Sequence, residues 1–175
     1  MLYGEKTRLR PPEMTDLDNI MAWINDREVT RNLAIGFWPL SRKAEEAWLA
    51  KTVEGSDPRN RVLVIEDLQG TYLGSIGLHD IDMRSGVAEV GIVIGRKDYW
   101  GKGYGTDALR TLLRFAFANL RLRKVYLKVF GSNARAQKSY AKLGFKVAGR
   151  LKEHELKEGE YEDVIYMELF RDELK

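Results

Sequence analysis

Three glycines at alternating positions, Gly101, Gly103 and Gly105, stand between an apolar run and a helical pattern. Glycine lets a backbone approach a ligand closely, and the first turn of a helix presents N–H groups that donate to an anion. These features predict a phosphate site formed mainly by the main-chain amides of residues 101–106, with the ammonium of Lys102 adding positive charge. A purely structural turn is the alternative, because isolated glycine-rich turns are common.

The spacing of the glycines excludes two familiar nucleotide-binding loops. A P-loop reads G-x-x-x-x-G-K-[ST], whereas Gly103 is followed by Tyr104 and Gly105. A dinucleotide fingerprint G-x-G-x-x-G would have Thr106 at its third glycine. The turn also follows an expected antiparallel meander, whereas the fingerprint opens a βαβ unit. If the turn binds phosphate, the ligand is therefore recognised by neither a P-loop nor a dinucleotide fingerprint.

Composition narrows the chemistry further. The chain has no cysteine, which excludes disulfides, thiolate metal ligands and cysteine nucleophiles. The two histidines, His79 and His154, lack the paired spacing of transition-metal sites, and we expect both at solvent-facing strand ends, neither of them essential. With 29 basic and 26 acidic residues, the net charge of +3 is too even a balance to indicate nucleic acid. We expect no metal and no required nucleic acid.

Location and domain count follow from the same data. No apolar run approaches the roughly 20 residues of a transmembrane helix. Residues 1–6 do not open an apolar signal-peptide region. We therefore expect a cytoplasmic protein without a membrane partner, with residues 1–175 forming one domain around one core.

The clearest helix begins at Tyr104, where the hydrophobic period changes. Asp107, Arg110 and Arg114 are expected on its polar face. Its apolar face carries Ala108, Leu109, Leu112, Leu113, Ala116, Phe117 and Leu120.

Three more helices and a set of strands complete the prediction. A capping box at Thr15 and Asp18 predicts a helix from Asp16 to about Asn25. The other two helices are a segment capped by Ser41 with apolar Ala44, Ala47, Trp48 and Ala50, and one from Ser132–Asn133 through Tyr140 that Gly144 ends. Strands are predicted at residues 7–10, 62–66, 72–79, 87–94 and 124–130, and in a final hairpin over 145–170 that turns at 157–160.

Two segments resemble motifs of the GCN5-related N-acetyltransferase (GNAT) superfamily. Its pyrophosphate motif R/Q-x-x-G-x-G/A matches residues 100–105 in register, and its downstream motif resembles residues 133–145. Trp100 replaces the usual arginine or glutamine, so the amide contacts carry over and that side-chain contact does not. The resemblance runs from Thr7 through Tyr166 and is strongest to the branch of ribosomal-protein, protein N-terminal and spermidine acetyltransferases.

The resemblance implies a fold and a cosubstrate. The fold would be α/β in the α+β arrangement, with a mixed, mostly antiparallel sheet of about seven strands that splays between the fourth and fifth strands and is flanked by about four helices. The cosubstrate would be acetyl-CoA. Its pantetheine arm would extend the sheet by binding backbone groups of the splayed strand, and a donor from the same strand would hold the oxyanion that forms during acetyl transfer. The implied cofactor-binding residues are Ile92, Val93, Ile94, Gly101, Lys102, Gly103, Tyr104, Gly105, Thr106, Asn133, Arg135, Ala136 and Tyr140.

The implied reaction is direct attack of an amine on the thioester in a ternary complex. Tyr140 lies two helical turns after Asn133 and is assigned as general acid, since a phenol of pKa near 10 stays protonated at neutral pH. The alternative is that the Tyr140 ring only packs on one face of its helix. Asn133 is either a helix N-cap or a cofactor contact, and Arg135 is expected to meet phosphate. Glu89 is either a base that accepts the amine proton through water or a glutamate that only faces solvent, and both alternatives stay open.

The acceptor is expected to lie among the first two helices, their loop and the last hairpin. Phe37 and Trp38 would bind it together with Asp26, Glu28 and the acidic hairpin. A polyamine, a peptide α-amine and an aminoglycoside all fit this description, and the resemblance adds a homodimer. Two other classes remain open here, a non-catalytic acyl-CoA sensor and a ribosome- or RNA-associated protein. The acidic hairpin residues are Glu153, Glu155, Glu158, Glu160, Glu162 and Asp163.

Overall fold

The computed structural model describes residues 1–33 and 38–175. Eight strands form one sheet in the order β1-β2-β3-β4-β5-β6-β8-β7. The strands are β1 (Leu2–Tyr3), β2 (Thr7–Arg10), β3 (Arg61–Asp67), β4 (Tyr72–Asp82), β5 (Val87–Ile94), β6 (Lys124–Phe130), β7 (Lys146–Lys157) and β8 (Glu160–Phe170). The helices are α1 (Leu17–Met21), α2 (Arg27–Thr30), α3 (Arg42–Glu54), α4 (Tyr104–Ala118) and α5 (Ala134–Leu143).

The sheet opens between β5 and β6. These two strands are parallel and pair only where residues 87–89 face residues 124–126. Beyond that point β5 pairs with β4 alone and β6 with β8 alone, so the two strands diverge. The predicted mixed, mostly antiparallel, splayed sheet is confirmed. Within residues 1–33 and 38–175 it has eight strands where about seven were expected, because the short β1 adds an edge, and five helices where about four were expected.

Each face of the sheet packs against different helices because side chains alternate along a strand. On β5, Ala88 and Val90 belong to the core beneath α4, and Ile92 and Ile94 pack against it. Val93 points to the other face and packs against a second cluster, which contains residues of α1 and α3. One strand therefore contributes to both sides of the molecule.

The first predicted helix is shorter and starts differently. Its capping box joins Glu13 and Asp16, since the Asp16 carboxylate accepts from the Glu13 backbone N–H at 2.8 Å. The box predicted at Thr15 and Asp18 is wrong, because the acidic side chain two residues earlier satisfies the backbone. The segment becomes a single 3₁₀ turn followed by α1.

Helix α3 does not bury the residues that its composition suggested. Ser41 caps it as predicted, since its hydroxyl accepts from the Ala44 N–H. The two buried side chains, however, are Glu45 and Leu49. The four apolar residues named from the sequence, Ala44, Ala47, Trp48 and Ala50, are all exposed.

Asp107 is a second departure from the expected pattern. It was predicted on the polar face of α4, yet it is only 5% exposed. Its carboxylate accepts from the backbone N–H groups of Glu5, Lys6 and Thr7 and from the Thr7 hydroxyl, at 2.7–3.0 Å. These hydrogen bonds to the charged form lower its pKa despite burial. Asp107 thus fastens the chain before β2 to the first turn of α4.

Two negative findings concern residues 1–33 and 38–175. No helix there combines the length and the apolar character needed to cross a bilayer. No group of three or more histidine, aspartate or glutamate side chains there lies close enough together to hold a metal ion.

Candidate active site

A cleft of about 440 Å³ occupies the opening between β5 and β6, and we call it the splay cleft. Its walls are the end of β5, the glycine turn, α5 and residues of α2. Of the cofactor-binding residues predicted from the sequence, all except Lys102 line it: Ile92, Val93, Ile94, Gly101, Gly103, Tyr104, Gly105, Thr106, Asn133, Arg135, Ala136 and Tyr140. Segments 10 to 40 residues apart in sequence therefore meet around one space.

The glycine turn adopts the conformation that only glycine takes readily. Gly101 and Gly103 have φ of 73° and 87°, in the left-handed region. Gly103 is the N-cap of α4, and its carbonyl accepts from the Asp107 N–H. The N–H groups of Tyr104, Gly105 and Thr106 precede the first intrahelical bond and are unused by the helix. These amides, at the positive end of the α4 dipole, are available to an anion beside the splay cleft.

Lys6 is a residue that sequence patterns did not single out. Its ammonium donates to the carbonyl of Lys102 at 3.0 Å and lies 5.7 Å from the ring centre of Tyr104. Asp107 accepts from the backbone N–H of Lys6, so these two residues connect the chain before β2 to the glycine turn. The Lys102 side chain is exposed and does not line the splay cleft.

Trp100 takes a role of its own at the position where the family has arginine or glutamine. Its indole N–H donates to the carbonyl of Ile94 at 2.7 Å. The guanidinium of Arg135 lies 4.5 Å from the centre of its rings, a cation–π contact. Trp100 therefore orients a cation from α5 toward the cleft. It also occupies the Ile94 carbonyl, and because Val93 pairs with Ser75 of β4, the backbone of Ile92 is the one of these three positions left facing the open edge.

Helix α5 brings Tyr140 to the cleft. Asn133 is its N-cap, since the amide oxygen accepts from the Ala136 N–H at 3.2 Å, and Gly144 ends it in the left-handed conformation. The Tyr140 ring packs on Phe145 at 5.9 Å between centres, and burial raises the pKa of its phenol to about 12. The side chain thus both packs and lines the cleft.

A second cavity of about 540 Å³ lies on the opposite face of the sheet, and we call it the sheet-face cavity. Its floor is formed by β3, β4 and β5, and its walls by α1, α3 and the chain around Leu33 and Leu40. Leu33, Ile92 and Val93 line both this cavity and the splay cleft. The two spaces therefore meet at the end of β5, one from each face of the sheet.

Glu89 lies on the floor of the sheet-face cavity, separate from the splay cleft. Its side chain is 20% exposed and forms an ion pair with Lys128 at 2.9 Å. The pairing raises the pKa of Lys128. Glu89 thus contributes an ion-paired carboxylate to the sheet-face cavity.

His79 is not where the sequence predicted it. It is within β4 and half-buried, opposite Glu89 in the strand register, and it lines the sheet-face cavity. Its ring lies over two strand positions, Gly77 and Gly91, where a Cβ would come within 3.1 and 3.4 Å of its Nε2. Burial lowers its pKa, so the ring is neutral near pH 7. His154 is exposed, as expected.

Five of the eight acidic residues expected to attract an amine form ion pairs within the described chain, and Glu153, Glu155 and Glu160 form none there. Asp26 and Glu28 both pair with Lys97 at 2.9 Å. In the β7–β8 hairpin, Glu158 pairs with Arg27 at 3.3 Å. Trp38 is 85% exposed and lines a third cavity beside the hairpin, whereas Phe37 lies outside the described residues. Two more hairpin acids, Glu162 and Asp163, pair with Lys157 and Arg150.

The comparisons with known proteins agree with this architecture. Residues 6–146 match the model of the acetyltransferase (GNAT) domain family. An uncharacterized N-acetyltransferase, p20 of Bacillus licheniformis, is 30% identical over 173 residues, which cover 98% of this chain and 97% of that protein. Spermidine N(1)-acetyltransferase of Escherichia coli is 32% identical over 179 residues, covering 98% of this chain and 89% of that protein.

A solved structure gives the same result. The spermidine N-acetyltransferase of Vibrio cholerae, crystallised with CoA and spermine, superposes with a TM-score of 0.87 at 29% identity. The match covers 95% of this chain and 96% of that one. The fold implied by the sequence resemblance is therefore confirmed over nearly the whole chain.

Proposed function

The chain belongs to the acetyltransferase (GNAT) domain family, and we propose that its acceptor is a primary amine of an aliphatic polyamine such as spermidine. It is an N-acetyltransferase that takes the acetyl group from acetyl-CoA. The polyamine is supported by the relatives in Escherichia coli and Vibrio cholerae, both spermidine acetyltransferases. The observation that carries the proposal is the junction of the splay cleft and the sheet-face cavity at Leu33, Ile92 and Val93.

In our proposal acetyl-CoA binds in the splay cleft. Its pyrophosphate accepts from the amides of residues 104–106, and Arg135, held on Trp100, adds a positive charge. The pantetheine arm runs along the edge of β5 that faces away from β4, where the strand past Glu89 has no partner strand among the described residues. Amide groups of the arm replace that missing strand. The thioester then lies at the junction of the two spaces.

The amine approaches from the sheet-face cavity and attacks the thioester carbon in a ternary complex. The nitrogen–carbon bond forms first, and a backbone N–H of β5 stabilises the oxyanion of the resulting tetrahedral intermediate until the carbon–sulfur bond breaks. The thiolate of CoA takes a proton from Tyr140, whose raised pKa keeps it in the protonated form that donates. The ammonium proton leaves toward Glu89 through water. The roles of Tyr140 and Glu89 are proposals supported by their places on either side of the junction.

A thiol-release assay tests the acceptor. Acetyl-CoA is supplied with spermidine, an aminoglycoside, or peptides that start with serine, alanine or methionine. We expect kcat/KM for spermidine to exceed that of every other acceptor at least about tenfold, a difference of about 1.4 kcal/mol in transition-state binding. A peptide or an aminoglycoside as the best substrate would refute the polyamine while leaving the acetyltransferase in place.

Location and assembly complete the proposal. Acetyl-CoA is a metabolite of the cell interior, which supports a cytoplasmic enzyme, and the reaction requires no nucleic acid. A homodimer is supported by β7, an edge strand that pairs only with β8 among the described residues and exposes Val147 and Leu151. The proposed contact is strand β7 of one copy against β7 of the other. Light scattering after size exclusion gives the mass that decides it. A chain of 20.1 kDa eluting as a monomer would exclude the dimer.

A further inference from the structure

We propose that Glu45 is a cation subsite of the sheet-face cavity, which binds a second ammonium group of the acceptor at the end of its alkyl arm. The inference rests on the proposed function, since it specifies which amines that acceptor site selects. It assigns the choice between a diamine and a monoamine to one carboxylate on α3, away from the reacting atoms. Glu45 is thus a specificity-determining residue, and it takes no part in the chemical step.

Glu45 differs from the other buried carboxylates of the described chain. Five carboxylates are buried there, and four of them have partners. Asp16 and Glu66 both pair with Arg10 at 2.6 Å. Asp67 and Asp107 accept several hydrogen bonds from backbone and hydroxyl groups.

Glu45, at 7% exposure, forms neither an ion pair nor a side-chain hydrogen bond with any residue in 1–33 or 38–175. Burial raises its pKa, and no neighbouring charge offsets this effect. Its carboxylate oxygens are not closed off from solvent, because among the described residues only Trp23 Nε1 is a fully buried polar side-chain atom without a partner. The unpaired carboxylate therefore faces the open space of the cavity. A ligand cation that enters the cavity would supply the missing partner.

The cavity has the shape of a site for an alkyl chain with a charge at its end. Glu45 lines it together with Asp16 and Pro12. Asp16 pairs with Arg10 of β2, the strand beyond β3, and α3 packs against the turn that contains Asp16, whereas Val93 and Glu89 belong to β5. Neighbouring strands are ~4.8 Å apart, so the floor from β3 to β5 spans about 10 Å. Between the two ends most of the lining is apolar, with Ser75 and His79 of β4 as polar side chains; the apolar and aromatic residues include Ile20, Trp23, Ile24, Leu49, Val64 and Tyr72.

This layout suits an extended diamine. One nitrogen would reach the thioester at the end of β5, the methylene chain would cover the apolar floor, and the other nitrogen would meet Glu45. A charged pair in a partly enclosed cavity is stronger than one at the surface. The paired Asp16 is not free to bind the ligand, because Arg10 already holds it. Glu45 is therefore the carboxylate available at that end.

The test compares Glu45→Gln with Glu46→Gln, an exposed neighbour on the same helix. Isothermal titration calorimetry, with CoA present, measures binding of 1,8-diaminooctane and of octylamine, two ligands of similar length that differ in one ammonium. We expect Glu45→Gln to weaken diamine binding about tenfold to a hundredfold and to leave octylamine binding unchanged. Glu46→Gln should match the wild type with both ligands.

Three results would overturn the subsite: wild-type protein that does not bind the diamine, equal diamine binding by wild type and Glu45→Gln, or an equal loss for both ligands. The ligand-free melting temperature separates function from structure. Because the variant removes an unpaired buried charge, it should melt no lower than the wild type, whereas a structural role predicts a lower value. Acetyl transfer is measured separately, so diamine binding without turnover would reject the proposed function and keep the subsite.

Discussion

Replacing Tyr140 by phenylalanine is expected to lower kcat about a hundredfold to a thousandfold while the affinity for coenzyme A stays nearly unchanged. General acid catalysis contributes factors of this size, and the variant removes only the hydroxyl. The ring contact with Phe145 at 5.9 Å is kept, so the cleft retains its shape. A loss confined to kcat and kcat/KM would identify an interaction made in the transition state.

The control for this variant is Tyr161→Phe, which removes the same hydroxyl from a residue 68% exposed on the hairpin. Rates are measured by thiol release and coenzyme A affinity by calorimetry. Because burial raises the pKa of Tyr140 to about 12, the phenol stays protonated well above pH 10 and its ionisation should not reduce the wild-type rate in that range. An unchanged kcat in Tyr140→Phe would remove the residue from the mechanism, leaving it only a packing role.

Replacing Gly103 by valine is expected to weaken coenzyme A binding by more than about a hundredfold. The φ of 87° at this position is strained for a β-branched residue, so the turn must change its backbone conformation. The amides of residues 104–106 would then no longer converge on one anion. Losing one or two charge-assisted hydrogen bonds, each worth about 1.5–3 kcal/mol, accounts for the expected effect.

Gly149→Val is the matched control, because its Cβ would meet no atom within 4 Å and its φ is not positive. Circular dichroism establishes that both variants are folded before coenzyme A is titrated. A folded Gly103→Val protein that binds coenzyme A as well as Gly149→Val does would show that the turn does not bind the pyrophosphate.

Periodic segments were predicted well from the sequence. The strands Thr7–Arg10, Val87–Ile94 and Lys124–Phe130 have the predicted limits, and α4 begins at Tyr104 as expected. Each of these segments has a hydrophobic pattern with one dominant period, or a glycine or N-cap residue at its boundary. The glycine turn and α5 were both identified from short local motifs. The shared fold then brings these two motifs to one cleft.

Buried polar residues were not predictable in this way. Asp107 looked like part of a solvent face, since helical periodicity shows where apolar residues lie and cannot show that a carboxylate caps three backbone amides of a distant segment. Glu45 sits among exposed alanines, so its burial depends on how α3 packs over the sheet. His79 is half-buried because Gly77 and Gly91 leave room for its ring, a relation between two strands.

The departure at Trp100 shows a similar limit. In the sequence, Trp100 stands where the motif has arginine or glutamine. The consequence of this change depends on which other side chain packs against the indole. Arg135 lies 35 residues later in the chain and is brought to 4.5 Å by the packing of α5 beside the turn. A positively charged side chain thus lies beside the turn although position 100 itself carries none.

A crystal structure of the protein with coenzyme A tests the central claim most directly, because the claim places the cosubstrate in the splay cleft. We predict pyrophosphate oxygens about 3 Å from the amide nitrogens of residues 104–106, the pantetheine arm beside Ile92 and Val93, and the thiol within hydrogen-bonding reach of the Tyr140 hydroxyl. Coenzyme A bound outside the cleft, or with its thiol remote from Tyr140, would contradict the account.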